Sequence, residues 1–184
     1  MLSIEYPSGT MEQVILVDSN DNEIGLEEKI RAHENGAKLH RAFSVFVFNK
    51  NGEMMLQQRA ASKYHGGGLW SNTVCSHQRK GESTLGAAHR RLREEMGFDC
   101  EMSEAFAFEY KASMDKGLTE HEYDHVVIGH YDGKPRPNSD EVQDWKWIGL
   151  NELQGDMKRH PERYTPWTRI VIDRVIDYYK SRKQ

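Results

Sequence analysis

Thiols are scarce in this chain: Cys75 and Cys100 are the only cysteines among 184 residues. Two thiols are too few for the disulfide framework of a small secreted domain, and a reducing cytoplasm is the expected compartment. No apolar run is long enough to cross a bilayer, which excludes a helical membrane span. The amino terminus lacks the basic region, apolar stretch and cleavage site of a secretory leader. Positive charge is not in excess either. The formal net charge is −4 and the pI about 6.1, so no broad lysine and arginine footprint for nucleic acid is present, and basic residues at a site must be gathered locally. Internal repeats, heptads and low-complexity tracts are absent as well. What remains is 37 % hydrophobic and 29 % charged, an ordinary balance for one well-filled domain.

The stretch from Asn72 to Gly97 concentrates the chemistry, with a thiol at Cys75, an imidazole at His77 and a charged helix after them. Leu85, Ala88, Leu92 and Met96 recur at three- and four-residue steps, which predicts a helix with one apolar stripe. Ser83 suits its N-cap and Gly97 its stop. Arg91 and Glu95 stand one turn apart, so a cation and a carboxylate share a face.

Residues 1–10 carry Pro7, Ser8 and Gly9 without a period and are expected to form a mobile extension, with 11–184 as a single domain. Val14–Val17 predicts a strand, and Ser19–Gly25 has the Asn and Asp content of a turn. His33 and His40 lie seven apart and would share a face if the segment were helical; either they are surface histidines or they are ligands. Ala42–Phe48 and Glu53–Arg59 predict a hairpin around Asn51 and Gly52. Gly66–Gly68 is either a flexible connection or a backbone that approaches a ligand closely. Strands are expected over Ala105–Ala112 and Tyr123–Tyr131 around a turn at Asp115–Gly117. Glu120 and Glu122, two apart, point the same way in an extended backbone, as an exposed acidic strand end or as a clasp for a cation. Val142–Ile148 predicts a strand with Trp145 and Trp147 on one face. Thr165, Pro166 and Trp167 open a helix that runs to Tyr179.

From Ser76 to Phe98 the spacing resembles the Nudix box, carried by Glu82, Arg90, Leu92, Glu94, Glu95, Gly97 and Phe98. Ser76 replaces the opening glycine, and Arg91 replaces a glutamate that would help to hold Mg²⁺, putting a phosphate-seeking guanidinium in its place. These departures, with Asn72, Cys75, Ser76 and His77 in one segment, make the chain similar to the type I isopentenyl-diphosphate isomerases from about Lys29 to Trp167. The resemblance implies an α/β fold, a single Nudix-like domain with a mixed β-sheet flanked by α-helices and a core at about 38–170. It further implies that His33, His40, His77, Glu120 and Glu122 hold one Mn²⁺, Mg²⁺ or Zn²⁺. Cys75 and Glu122 would be the acid/base pair, Tyr110 would hydrogen-bond near Glu122, and Trp167 would close over the substrate hydrocarbon. Read alone, Cys75 is a small buried hydrophobe, but His77 beside it and the loop around it favour the catalytic reading.

Resemblance and charge agree on Lys29, Arg59, Lys63 and Arg91 as anchors for a diphosphate, with Ser76 grouped beside them; a second ion, Mg²⁺, would bridge the diphosphate to Glu95. The implied substrate is a small allylic or homoallylic diphosphate, with no flavin, nicotinamide, nucleic acid or membrane involved and a monomer or homodimer as the assembly. Three functions compete: an isomerase that moves a carbon–carbon double bond, a Nudix hydrolase, and a non-catalytic metal- or phosphate-binding domain. Hydrolysis needs neither the thiol nor the histidines, and a binding module needs no acid/base pair.

Overall fold

The computed structural model describes residues 12–182, so the expected extension at 1–10 lies outside the described residues. Strands β1 (Gln13–Val17) and β2 (Glu23–Glu28) form an antiparallel pair, followed by the short helix α1 (Lys29–His33). Strands β3 (His40–Phe48), β4 (Met54–Arg59), β5 (Trp70–Ser71) and β6 (Val74–Ser76) precede helix α2 (Thr84–Met96). Then come the long strands β7 (Met102–Ser113) and β8 (Thr119–His130), strand β9 (Val142–Ile148), and helices α3 (Leu150–Arg159) and α4 (Pro166–Ser181). All nine strands join one sheet, in which β3 and β8 run parallel and the other pairs antiparallel. The mixed sheet with flanking helices is therefore present.

Alternation along β3 sorts its side chains onto two cores. Phe43, Val45 and Val47 pack with Ala88, Leu92 and Met96 of α2, while Phe46 and Phe48 pack with Val171, Val175 and Tyr179 of α4. The α2 stripe is the one its spacing predicts. Its ends are also as expected: the Ser83 hydroxyl accepts from Gly86 N at 3.1 Å, and Gly97 stops the helix at φ 70°. A Cβ on Gly97 would lie 2.2 Å from Arg136 O, so both conformation and space demand glycine there.

The hairpin at Asn51–Gly52 is a hairpin only at its tip. β3 and β4 pair at Phe48 and Met54 and then part, and β6 takes the place beside β3, with Phe43 opposite Ser76, Ser44 opposite Cys75 and Val45 opposite Val74. Side chains fill the opening. Thr73 Oγ1 accepts from Val47 N at 3.0 Å and donates to Met55 O at 2.8 Å, and Asn72 Nδ2 donates to Val45 O at 3.0 Å. The cysteine segment is thereby part of the sheet rather than a surface loop. The other departure is α3, which the sequence reading passed over.

Candidate active site and metal centre

The site forms at the end of the sheet where β3 and β8 begin. His40 opens β3 directly opposite Glu122, and Cys75 reaches the same end from the other side of β3. Extended geometry puts Glu120, Glu122 and Asp124 on one face of β8, and all three are buried. His33 and His40 do come together, but not as the predicted helical face. Glu28 caps the five-residue α1, His33 ends it, and a turn with Asn35, Gly36 and Ala37 at positive φ swings the chain back so that His40 starts a strand. Their rings meet at 4.7 Å between centroids.

Donor atoms of His33, His40, His77 and Glu122 lie within 4.8 Å of one another, and those of His33, His65 and Glu120 do likewise. His33 Nε2 is 2.9 Å from Glu120 Oε2, His65 Nε2 is 2.8 Å from Glu120 Oε1, and His77 Nε2 is 3.1 Å from Glu122 Oε1. Buried imidazole nitrogens without hydrogen-bond partners gather here: His40 Nε2, His65 Nδ1 and His77 Nδ1. An orphaned buried polar group costs about 1–3 kcal/mol, so this cluster is shaped for something that uses lone pairs. Burial lowers the His77 imidazole to about 4, keeping it neutral and able to ligate. Burial would raise the Glu120 and Glu122 carboxyls, but the histidines at each overcome it and hold both below the usual carboxylate range. A neutral His77 imidazole and ionised carboxylates, with further histidine nitrogens beside them, fit a divalent metal ion.

One cavity is lined by the cations Lys29, Arg59, Lys63 and Arg91 and by Cys75, Ser76, Tyr110, Glu122 and Trp167. The Tyr110 hydroxyl donates to Glu122 Oε2 at 2.6 Å. Cys75 Sγ donates to Asn72 Oδ1 at 2.8 Å, and burial pushes the thiol up to about 12, so it stays protonated. Trp167 is pinned by its Nε1, which donates to Ser71 Oγ at 3.0 Å, and Arg59 lies over its ring at 5.2 Å. Thr165 occupies the N-cap of α4, yet its hydroxyl does not cap; it is spent on Ser71 and Thr168 in the same buried network.

Among the anchors, Lys63 contacts Glu141, and burial brings its ammonium down to about 8 despite that partner. Lys29 reaches Glu12 at 2.9 Å and stands over the Tyr64 ring. Arg91 Nη2 donates to Glu95 Oε1 at 2.7 Å, and the buried Glu95 also accepts from Gln57 Nε2 at 2.9 Å. The pair expected on one helix face is thus a closed contact. Glu95 is not among the residues that line the cavity and belongs to neither group of His and Glu donors.

A family model described as NUDIX domain matches residues 38–169. An isopentenyl-diphosphate Delta-isomerase 2 from Aromatoleum aromaticum is 55 % identical over 165 residues, which cover 90 % of this chain and 87 % of that one. The chain belongs to this isomerase family, within the Nudix fold. Another family member, from Serratia proteamaculans, is 49 % identical over 161 residues, covering 88 % of this chain and 89 % of its own. At the level of fold alone, a protein from Deinococcus radiodurans solved at 1.9 Å superimposes with a TM-score of 0.66 at 18 % identity, covering 80 % of this chain and 90 % of that one.

Two residues in the site went unnoticed in the sequence. His65, 2 % exposed, touches Glu120; its place directly before the glycine run was its one signal. Asp124 continues the alternation of Glu120 and Glu122, and accepts from Ser44 Oγ at 2.8 Å. Burial, then the neighbouring Glu122, hold its carboxyl well above the usual range.

Proposed function

We propose that this protein interconverts isopentenyl and dimethylallyl diphosphate by moving one proton on and another off the five-carbon chain. The observation that carries the reading is that Cys75 and Glu122, from strands on opposite sides of β3, line one cavity together with four cations. In the free protein Cys75 holds a proton and Glu122 is bare, so the pair begins with one proton to give and one place to receive it. Protonating the alkene at one end creates a tertiary carbocation, and removing a proton from the carbon on its other side restores a double bond one position along. That cation must be kept from water and given an electron-rich neighbour, and Trp167, 3 % exposed, supplies both.

Tyr110 fixes Glu122 through its hydroxyl, and Asn72 fixes the thiol; each keeps its partner aimed during proton transfer. Lys29, Arg59, Lys63 and Arg91 take the diphosphate with Ser76 beside them, and binding energy at that remote group positions the alkene. A diphosphate that draws Arg91 away would release one Glu95 oxygen, and Glu95 would then hold a Mg²⁺ that offsets headgroup charge. His33, His40, His77, Glu120 and Glu122 would hold Mn²⁺, Mg²⁺ or Zn²⁺, whose positive charge would orient Glu122 and tune its acidity.

Hydrolysis is the weaker reading, because Arg91 stands in place of a box carboxylate and is bound to Glu94, Glu95 and Glu141. Incubation with isopentenyl diphosphate and Mg²⁺ in D₂O, followed by NMR, decides between them. Deuterated dimethylallyl diphosphate is the expected product; released inorganic phosphate without it would reverse the assignment.

A further inference from the structure

Strand β5 and helix α4 are joined by more than packing. Trp70 and Tyr164 form a parallel bridge, and Thr165 N donates to Trp70 O at 2.9 Å, so the backbone sets Ser71 and Asn72 against the first turn of α4. Between the two segments lies a buried group of polar side chains, Ser71, Asn72, Thr165 and Thr168, none more than 1 % exposed. Cys75 and Trp167 both end in it: the thiol donates to Asn72 Oδ1 at 2.8 Å, and the indole donates to Ser71 Oγ at 3.0 Å. We propose that Thr168 is a positioning residue, which holds Asn72 Oδ1 where it aims the Cys75 thiol and ties that aim to the helix turn that carries Trp167. The proposal rests on the reading of Cys75 as one of the two groups that move a proton.

The Asn72 amide is held at both ends. Its Nδ2 gives one proton to Val45 O at 3.0 Å and the other to Val74 O at 2.8 Å, which leaves Oδ1 as the acceptor that faces the thiol. A planar amide fastened only at its nitrogen can still swing its oxygen about that point. Thr168 stops the swing. Its hydroxyl donates to Asn72 Oδ1 at 2.9 Å and accepts from Asn72 N at 3.2 Å, so it grips one residue by side chain and by backbone. Oδ1 has two lone pairs, and Thr168 and Cys75 are its two nearest donors, with Ser71 Oγ farther off at 3.2 Å. The thiol is thereby left one lone pair to point at, in a fixed direction.

Two features set this arrangement apart from routine pairing of buried groups. Thr165 forgoes the cap that a threonine at a helix start usually makes, and its hydroxyl instead stands 2.8 Å from Thr168 Oγ1 and 3.2 Å from Ser71 Oγ. Thr168 directs its own hydroxyl to another segment of the chain rather than back to the preceding turn. Trp167 and Thr168 are adjacent on α4, so a shift of that turn moves the indole and, through Asn72, the thiol together. The face that stabilises the cation stays in register with a group that moves the proton.

Thr168→Val keeps the shape and removes the hydroxyl, whereas Thr168→Ser keeps the hydroxyl. Both are made in a Cys100→Ser background, where Cys75 carries the one thiol and its S–H stretch is read by infrared absorption. The background protein should show one narrow band, from a thiol bound to a single acceptor. Thr168→Val should broaden or split that band and lower kcat about 10-fold or more, with the KM for isopentenyl diphosphate within about twofold, because misplacing a reacting group slows the chemistry without loosening the diphosphate. Thr168→Ser should restore the narrow band and most of kcat. If Thr168→Val lowers the Tm alone and leaves band and kcat native, Thr168 only fills space and the proposal falls. If the background protein makes no dimethylallyl diphosphate while its band still depends on the Thr168 hydroxyl, the isomerase reading fails and the placement of the thiol by Thr168 stands.

Discussion

At the scale of single residues, the acid/base pair is the sharpest point of attack. Cys75→Ala and Glu122→Gln should each lower turnover about 100-fold or more, the size of a lost general acid or base, with circular dichroism unchanged. Near-native rates in both would remove the pair from the chemistry. Lys63 gives a signature in pH. Its ammonium is lowered to about 8, so it is charged below that value and neutral above it. kcat/KM should therefore fall as pH rises through about 8, and Lys63→Arg, whose guanidinium stays charged, should carry the plateau higher. Cys75, pushed up to about 12, should contribute no loss in that range. The residues most visible in the sequence were those tied to a motif: Cys75, His77, Arg91 and Glu95 sit within or beside one signature. His65 and Asp124 stood out only faintly, through the glycines after one and the alternation before the other; what sets them in the site is the contact with Glu120 and the pairing of β3 with β8.

At the scale of elements, helix α2 was legible down to its ends, since both caps depend on local chemistry that the sequence carries. Gly97→Ala tests this. With φ at 70° and Arg136 O in the way, it should cost about 1–3 kcal/mol and lower the Tm measurably. Ser83→Ala should cost only about 1 kcal/mol. Helix α3 was missed although Leu150, Leu153 and Met157 keep a helical spacing. Gly149 caps it without a side chain and Gly155 interrupts it, so the usual start signal is lacking. The pairing of β6 with β3 was beyond reach for another reason: a three-residue strand has no period of its own, and its place is fixed by Asn72 and Thr73 bonding to strands on either side. Thr73→Val keeps the shape and removes the hydroxyl, leaving Val47 N and Met55 O unmatched. A loss of about 1–3 kcal/mol is expected in denaturant unfolding.

At the scale of the whole molecule, the α1–β3 segment, the residue that follows β6, and β8 are remote from one another in sequence and each contributes to the candidate metal cluster. An ion bound there ties them together and favours the folded state by mass action. A chelator should lower the Tm, and excess Mn²⁺ should restore it; an unchanged Tm would mean that these segments hold without an ion. The fold class was legible because strand and helix periods are strong along most of the chain. The convergence of His33 with His40 was legible only through the family resemblance, because it depends on a turn at positive φ from Asn35 to Ala37 rather than on a shared periodicity.

One feature of the sheet reaches further than its geometry suggests. Because β6 is hydrogen-bonded to one side of β3 and β8 to the other, the gap between thiol and carboxylate is set by backbone, like the jaws of a calliper locked at one opening. Side-chain rotation can trim that gap but not widen it, whereas the lysines and arginines that line the cavity are long and can follow a phosphate. Tolerance toward unfamiliar substrates should therefore reside in the headgroup, and strictness in the length of carbon between the reacting atoms.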